Sequence, residues 1–282
     1  MAPPIPEFDL DGERPGAAQS PASALARGWR LFLRSIGFAS YALAAGSLGV
    51  AVLPIARLVG RWQGLGPDAL DVRAQWVIHR TTYWQTRLVE ALGTARIVGV
   101  GAERLRERPL LIVANHPSLY DTPVLTRFLP QADLIVSSDW TGNPFLRGAI
   151  EGGGYLAAEN GALAVRGAVK RLRAGRTVVV YPEGSRSAPE GLLPFQRGAA
   201  LMALRADIDI IPVVIRVTPR TLMKGQSVTD MPDETPEWRV EVGDPIRPRD
   251  YVLPGETNAA GARRLTTVLQ DYFEKRWDRG SC

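Results

Sequence analysis

The stretch Leu110-Leu111-Ile112-Val113-Ala114-Asn115-His116-Pro117-Ser118-Leu119-Tyr120-Asp121 decides how this chain folds. Its first five residues, Leu110–Ala114, form an unbroken apolar run, short enough for a strand and bounded by polar residues, which reads as a strand buried on both faces. Pro117 suits the first turn of a helix. His116 is therefore expected at a strand-to-helix corner, with Asp121 about one helical turn further on. That corner can return the carboxylate to one imidazole nitrogen, fixing the tautomer and leaving the other nitrogen to take a proton. Taken alone, the pair is better read as a capping histidine and a surface aspartate.

Working outward, the same rhythm recurs. Strand-like runs at Leu134–Ser137, Thr177–Tyr181 and Ile210–Val217 alternate with helical patterns at Pro144–Ile150, Ala162–Leu172, Phe195–Arg205 and Ala259–Trp277. This alternation predicts an α/β fold, a mostly parallel sheet flanked by helices, with functional residues beyond the carboxyl ends of strands. Pro212, inside the run Ile210–Val217, points to an edge strand or a bulge. The α/β domain is expected over residues 93–282, preceded by a membrane-associated helical segment over 24–92 and a disordered tail over 1–23.

The tail is rich in Pro, Ala and Gly, and its early acidic residues exclude a secretory signal. Ile36–Ala56 then runs 21 residues without a charge, a length that would span a hydrocarbon core of ~30 Å. Arg27, Arg30 and Arg34 precede it and Arg57 and Arg61 follow, so charge gives no clear orientation. Gly46, Gly49 and Pro54 would allow a bend. A re-entrant or interfacial element with both ends cytoplasmic fits arginine on both flanks better than a simple span. From Pro67 to Leu92 the pattern is amphipathic, with Trp76, Trp84, Leu88 and Leu92 on one stripe.

Composition narrows the chemistry. The net charge of +5 suits anionic lipid and phosphate-bearing substrates, while the absence of a basic arm or zinc motif argues against nucleic acid. The one cysteine, Cys282, leaves no disulfide framework or cysteine metal site within the chain. Any imidazole mechanism must use His79 or His116, the two histidines present. His79 lies on the amphipathic stretch beside Trp76 and reads as a packing or surface residue.

A second block, Tyr181-Pro182-Glu183-Gly184-Ser185-Arg186-Ser187, also follows a buried strand. Gly184 permits close backbone approach, Ser185 donates hydrogen bonds, and Arg186 can grip a phosphate or carboxylate. Phe195-Gln196-Arg197-Gly198 adds another cation. Together these pieces resemble the glycerolipid acyltransferase family that includes lysophosphatidate acyltransferase, over roughly Pro109 to Val217. Its Asn-His-x4-Asp motif matches Asn115, His116 and Asp121. Its Pro-Glu-Gly-Thr-Arg-Ser block matches Pro182–Ser187, with Ser185 in the threonine position. Its apolar-Pro-Val strand matches Ile211–Val213. Each motif is weak alone; their order and spacing in one α/β domain are not.

The resemblance implies that His116 deprotonates a lipid hydroxyl, which attacks the thioester of acyl-CoA or acyl carrier protein, with no cofactor or metal. It implies a lysophospholipid acceptor, 1-acylglycerol-3-phosphate first, held by Asn115, Glu183, Gly184, Ser185, Arg186 and Arg197. It also implies a membrane-associated enzyme whose site faces the cytoplasm. One departure matters: the family's second motif ends in Asp-Arg, and here Asn160 stands where its phosphate-holding arginine would. A lyso-lipid without a phosphomonoester, such as a lyso-ornithine lipid, is the alternative acceptor. No Gly-x-Ser-x-Gly elbow supports a serine hydrolase, and Gly99-Val100-Gly101 lacks the third glycine of a dinucleotide loop. A non-catalytic lipid-binding protein would not need His116, Asp121, Glu183 and Arg186 together.

Overall fold

A computed structural model describes residues 21–107, 109–137, 146–227, 230 and 232–277; the rest of the expected N-terminal tail lies outside the described residues. A long N-terminal helix, α1 (Pro21–Ser47), continues through a π-helical turn at Leu48–Val52 into α2 (Leu53–Trp62) and is followed by α3 (Pro67–Ala91). The α/β part then runs β1 (Arg96–Val100), β2 (Leu111–Ala114), α4 (Asp121–Thr126), β3 (Asp133–Val136), α5 (Arg147–Gly152), β4 (Leu156–Ala157) and α6 (Gly161–Arg173). It ends with β5 (Val178–Val180), α7 (Gly198–Ala206), β6 (Ile210–Thr218), β7 (Glu237–Val242) and α8 (Asn258–Trp277).

The seven strands order as β1-β7-β6-β2-β5-β3-β4, and every neighbouring pair is parallel except β6 with β7. The mostly parallel sheet expected from the alternation is present. β2 and β5, at the centre, are apolar throughout because both faces are covered. On β2, Leu111 and Val113 pack with Ala168, Leu172, Ala203, Leu265 and Phe273 under α6, α7 and α8. Ile112 and Ala114 face the opposite way, toward Leu105, Val124, Leu125 and Val89, as the two-residue period of a strand demands.

Pro212 is not on an edge, since β6 lies between β7 and β2. It sits at a bulge. Val213 pairs with Val242 and Ile210 with Ile246, so Ile211 and Pro212 oppose the three residues Gly243–Pro245. The Pro212 carbonyl still accepts from Gly243 N–H at 2.8 Å. The missing proline N–H faces the irregular stretch, where no ladder bond is lost.

The N-terminal segment does not fold back on itself as a re-entrant hairpin. The helix runs on through Gly46, Gly49 and Pro54, and the wide π turn before Pro54 makes room for a ring that clashes with an ordinary preceding turn. Gly49 meets Gly148 of α5 so closely that a Cβ on Gly49 would lie 2.7 Å from Gly148 Cα. Both ends of the apolar run are fastened to the α/β body. Arg34 donates to the carbonyls of Pro232 and Glu234, and Arg57 donates to Gly152 O at 2.8 Å and to the Asp71 carboxylate.

Candidate active site

The carboxyl end of β2 delivers Asn115 and His116 to the end of the sheet where β5 delivers Tyr181–Ser187. Helix α4 starts only at Asp121, later than Pro117 suggested, because residues 117–120 form a turn. Asp121 Oδ2 reaches back to accept from Ser118 N–H at 2.6 Å, bracing the turn that precedes the helix. The same oxygen lies 3.0 Å from His116 Nδ1. A carboxylate accepts, so Nδ1 carries the hydrogen and Nε2 is left free as a base.

Asp121 is fully buried. Burial pushes its carboxyl up, and His116, the Ser118 N–H and the Trp238 indole pull the other way. Among the described residues, Asp121 Oδ1 and Trp238 Nε1 each lack a partner within hydrogen-bond length. Tyr181 stacks on the imidazole, with ring centroids 4.4 Å apart and planes 21° from parallel, and its hydroxyl meets Thr122 Oγ1 at 3.2 Å. Tyr181 therefore fixes the ring plane, a role that only the folded geometry reveals.

His116 opens into a cavity of about 280 Å³ between the N-terminal helices and the sheet. Tyr41, Ala45 and Leu48 of α1 and the π turn form one wall, Ile78 and Thr82 of α3 another, and Ala164, Ala199 and Met202 a third. The lining is mostly apolar, and among the described residues it contains no carboxylate. Gly184 and Ser185 stand at its rim. Gly184 has φ +69, a left-handed conformation that favours glycine, and Gln196 Nε2 lies close to where a Cβ would stand.

The remaining sequence candidates divide by position. Asn115 does not line the cavity: its amide donates to Ile215 O at 2.9 Å and accepts from Ile215 N–H at 2.7 Å, extending the β2–β6 pairing by one side chain. Glu183 is buried too. Its carboxylate accepts from His116 N–H at 3.1 Å, Ser187 Oγ–H at 2.8 Å and Leu193 N–H at 2.9 Å. Burial raises its pKa against those donors. Arg186 donates Nη1 to the carbonyls of Leu222 and Met223 at 3.2 and 3.1 Å. Arg197 is exposed at the start of α7, between the lining residues Gln196 and Gly198 but not itself in the wall. His79 lies outside the site, its Nδ1–H on Thr126 O at 2.9 Å. Asn160 caps α6, accepting from Leu163 N–H at 3.1 Å.

Chemically, the site offers an oriented neutral imidazole beside an apolar slot with a polar rim. Among the described residues no group of His, Cys, Asp and Glu is placed to hold a metal.

Comparison with known proteins agrees with this geometry. Residues 96–216 match the family model described as Acyltransferase. The chain is 30% identical over 196 residues to the 1-acyl-sn-glycerol-3-phosphate acyltransferase of Saccharomyces cerevisiae, covering 66% of this chain and 61% of that protein. It is also 30% identical over 139 residues to the lyso-ornithine lipid O-acyltransferase of Pseudomonas aeruginosa, covering 48% and 52% of the two chains. The chain thus spans less than two thirds of these relatives. In fold, it is similar to the crystal structure of the 1-acyl-sn-glycerophosphate acyltransferase PlsC from Thermotoga maritima, with a TM-score of 0.60, 16% identity, and coverage of 91% and 96%.

Proposed function

Because this chain belongs to the acyltransferase family, we propose that it is an O-acyltransferase that moves a fatty acyl group from a thioester, acyl-CoA or acyl carrier protein, to the free hydroxyl of a lysophospholipid. The leading acceptor is 1-acylglycerol-3-phosphate, giving phosphatidate. The observation that carries this reading is the His116–Asp121 pair at 3.0 Å, opening onto an apolar cavity.

In the reaction, His116 Nε2 takes the acceptor hydroxyl proton as the oxygen attacks the thioester carbonyl. The ester C–O bond forms, the C–S bond breaks, and the imidazolium returns its proton to the departing thiolate. Asp121 stabilises the imidazolium between these steps. A thioester is already activated, so no covalent serine is needed. The cavity holds the acyl chain. Gly184, Ser185, Arg186 and Arg197 serve the acceptor head group at the rim, while Asn115 and Glu183 position the strand ends that carry His116.

The long N-terminal helix supports membrane association. Gly28–Trp62 is long and apolar enough to cross a bilayer. Yet Arg34 and Arg57 tie both ends of its apolar stretch to one α/β body, which favours a helix lying in the interface over one standing through it. Leu25, Trp29, Phe32, Leu43, Val50, Ile55, Leu58 and Trp62 are exposed along it. The site then faces the cytoplasm, where the thioester donors are made.

A second acceptor reading rests on Asn160. Its side chain caps a helix and supplies no cation, so a lyso-lipid without a phosphomonoester, as in the Pseudomonas relative's name, is the alternative. Incubating the purified protein with labelled acyl-CoA or acyl carrier protein and a lysolipid panel decides the matter. Transfer to lysophosphatidate above all others is expected, and no transfer to any lysolipid from either donor would end the reading.

A further inference from the structure

The segment after β6 folds back over the Pro182–Ser187 block. Leu222 O accepts from Leu119 N–H at 2.9 Å and from Arg186, and Met223 O accepts from Arg186 as well. Gln226 Oε1 takes the Met223 N–H at 2.9 Å, and Gly225 turns the chain at φ +86. Lys224 is therefore presented from a held turn, with Nζ donating to Ser185 Oγ at 3.2 Å. Ser185 is a rim residue of the cavity. Among the described residues, neither Lys224 nor Arg186 has a carboxylate within ion-pair distance, although ion pairs occupy many other arginines. Two cations without a close ion-pair partner thus flank Ser185 at the mouth, where the acceptor head group lies when the donor's acyl chain fills the slot.

We propose that Lys224, with Arg186, forms an anion-reading rim that selects a phosphomonoester head group, supplying the positive charge that Asn160 does not. This rests on the acyltransferase reading of His116. A dianion gains from both cations at once, whereas a zwitterionic or uncharged head group does not. Among the described residues, Lys224 and not the exposed Arg166 donates to the rim residue Ser185.

The test compares wild type, Lys224→Met and Lys224→Arg on 1-oleoyl lysophosphatidate and on monooleoylglycerol, by kinetics and by equilibrium binding in detergent. Lys224→Met is expected to raise the lysophosphatidate KM about 5–10-fold relative to that for monooleoylglycerol, with kcat following neither change, because a charge-assisted contact is lost from binding. Lys224→Arg should recover most of the discrimination. Equal losses on both acceptors, or no rescue by arginine, would reduce Lys224 to a loop brace. If wild type acylates nothing but lysophosphatidate binding still weakens in Lys224→Met, the acyl-transfer reading falls and the anion site stands.

Discussion

Glu183 Oε1 holds the backbone N–H of His116 at 3.1 Å across 67 positions of sequence. One buried carboxylate thereby joins the two motif blocks, because it also binds Ser187 and Leu193. Glu183→Ala would orphan three donors, two of them backbone amides. An unsatisfied buried donor costs about 1–3 kcal/mol, so a marked fall in Tm is expected, with kcat falling more than KM rises. Thermal melts beside steady-state kinetics check this. A stable Glu183→Ala variant with weakened acceptor binding alone would return Glu183 to the substrate.

His116→Ala should lower turnover by roughly 10²–10⁴-fold in a folded protein, and wild-type turnover would end the mechanism. Asp121 adds a pH signature. Burial raises its carboxyl above the ordinary 3.8, so the folded chain holds that proton more tightly than the unfolded chain. Its contribution to stability is therefore complete below about 3.8 and is lost as pH rises through the raised value. Asp121→Asn has no such proton. Its Tm relative to wild type should climb as pH rises from acid toward neutral, while its turnover stays severely impaired. Parallel Tm–pH curves would show that the carboxyl is not raised.

The strands bearing these motifs were legible because β2, β5 and the first six residues of β6 are covered on both faces and so are apolar without interruption. β1 and β7 were missed for the opposite reason. Arg96, Glu237, Arg239 and Glu241 put charge on their open face, and Arg96–Glu237 and Arg239–Glu237 pair there. The His116–Asp121 pair was readable from spacing, as both lie in one local turn. The engagement of Asn115 with Ile215, 100 positions away, was not, nor was the placing of Lys224 beside Ser185. Those depend on which strand ends meet.

The cavity makes a prediction about chain length. Ala45, buried on α1, lines the slot. Ala45→Phe fills volume there, and overpacking costs typically about 1–3 kcal/mol. A long acyl chain should bear that cost and a short one should not, shifting donor preference toward shorter thioesters. Competition between C10 and C18 donors measures the shift; an unchanged ratio would place the acyl chain elsewhere.

Membrane binding should reside in the exposed aromatic residues. Trp29 and Trp62 on the N-terminal helix are exposed, as are Trp76 and Trp84 of α3, with Arg80 stacked near both α3 indoles. Indole beside arginine suits the head-group layer. Replacing Trp29, Trp62 and Trp76 with serine should weaken sedimentation with anionic vesicles about tenfold or more, judged from the apolar area withdrawn. Activity on short-chain soluble acceptors should persist. Full vesicle binding by the triple variant would move the membrane face elsewhere.

Asn160 tests the acceptor from a second position in the chain. It immediately precedes Gly161, a lining residue, so an arginine at 160 begins beside the cavity. Asn160→Arg also removes the cap on Leu163 N–H, a loss of about 0.5–2 kcal/mol of stability. The two effects separate cleanly. Lowered Tm reports the cap, whereas the ratio of kcat/KM on lysophosphatidate to that on monooleoylglycerol reports the added charge. If the rim reads phosphate, that ratio should rise about 10-fold, the scale of one charge-assisted hydrogen bond. Arg186→Ala should lower it. Ratios unmoved in both variants would mean that the charge at this mouth does not select the acceptor.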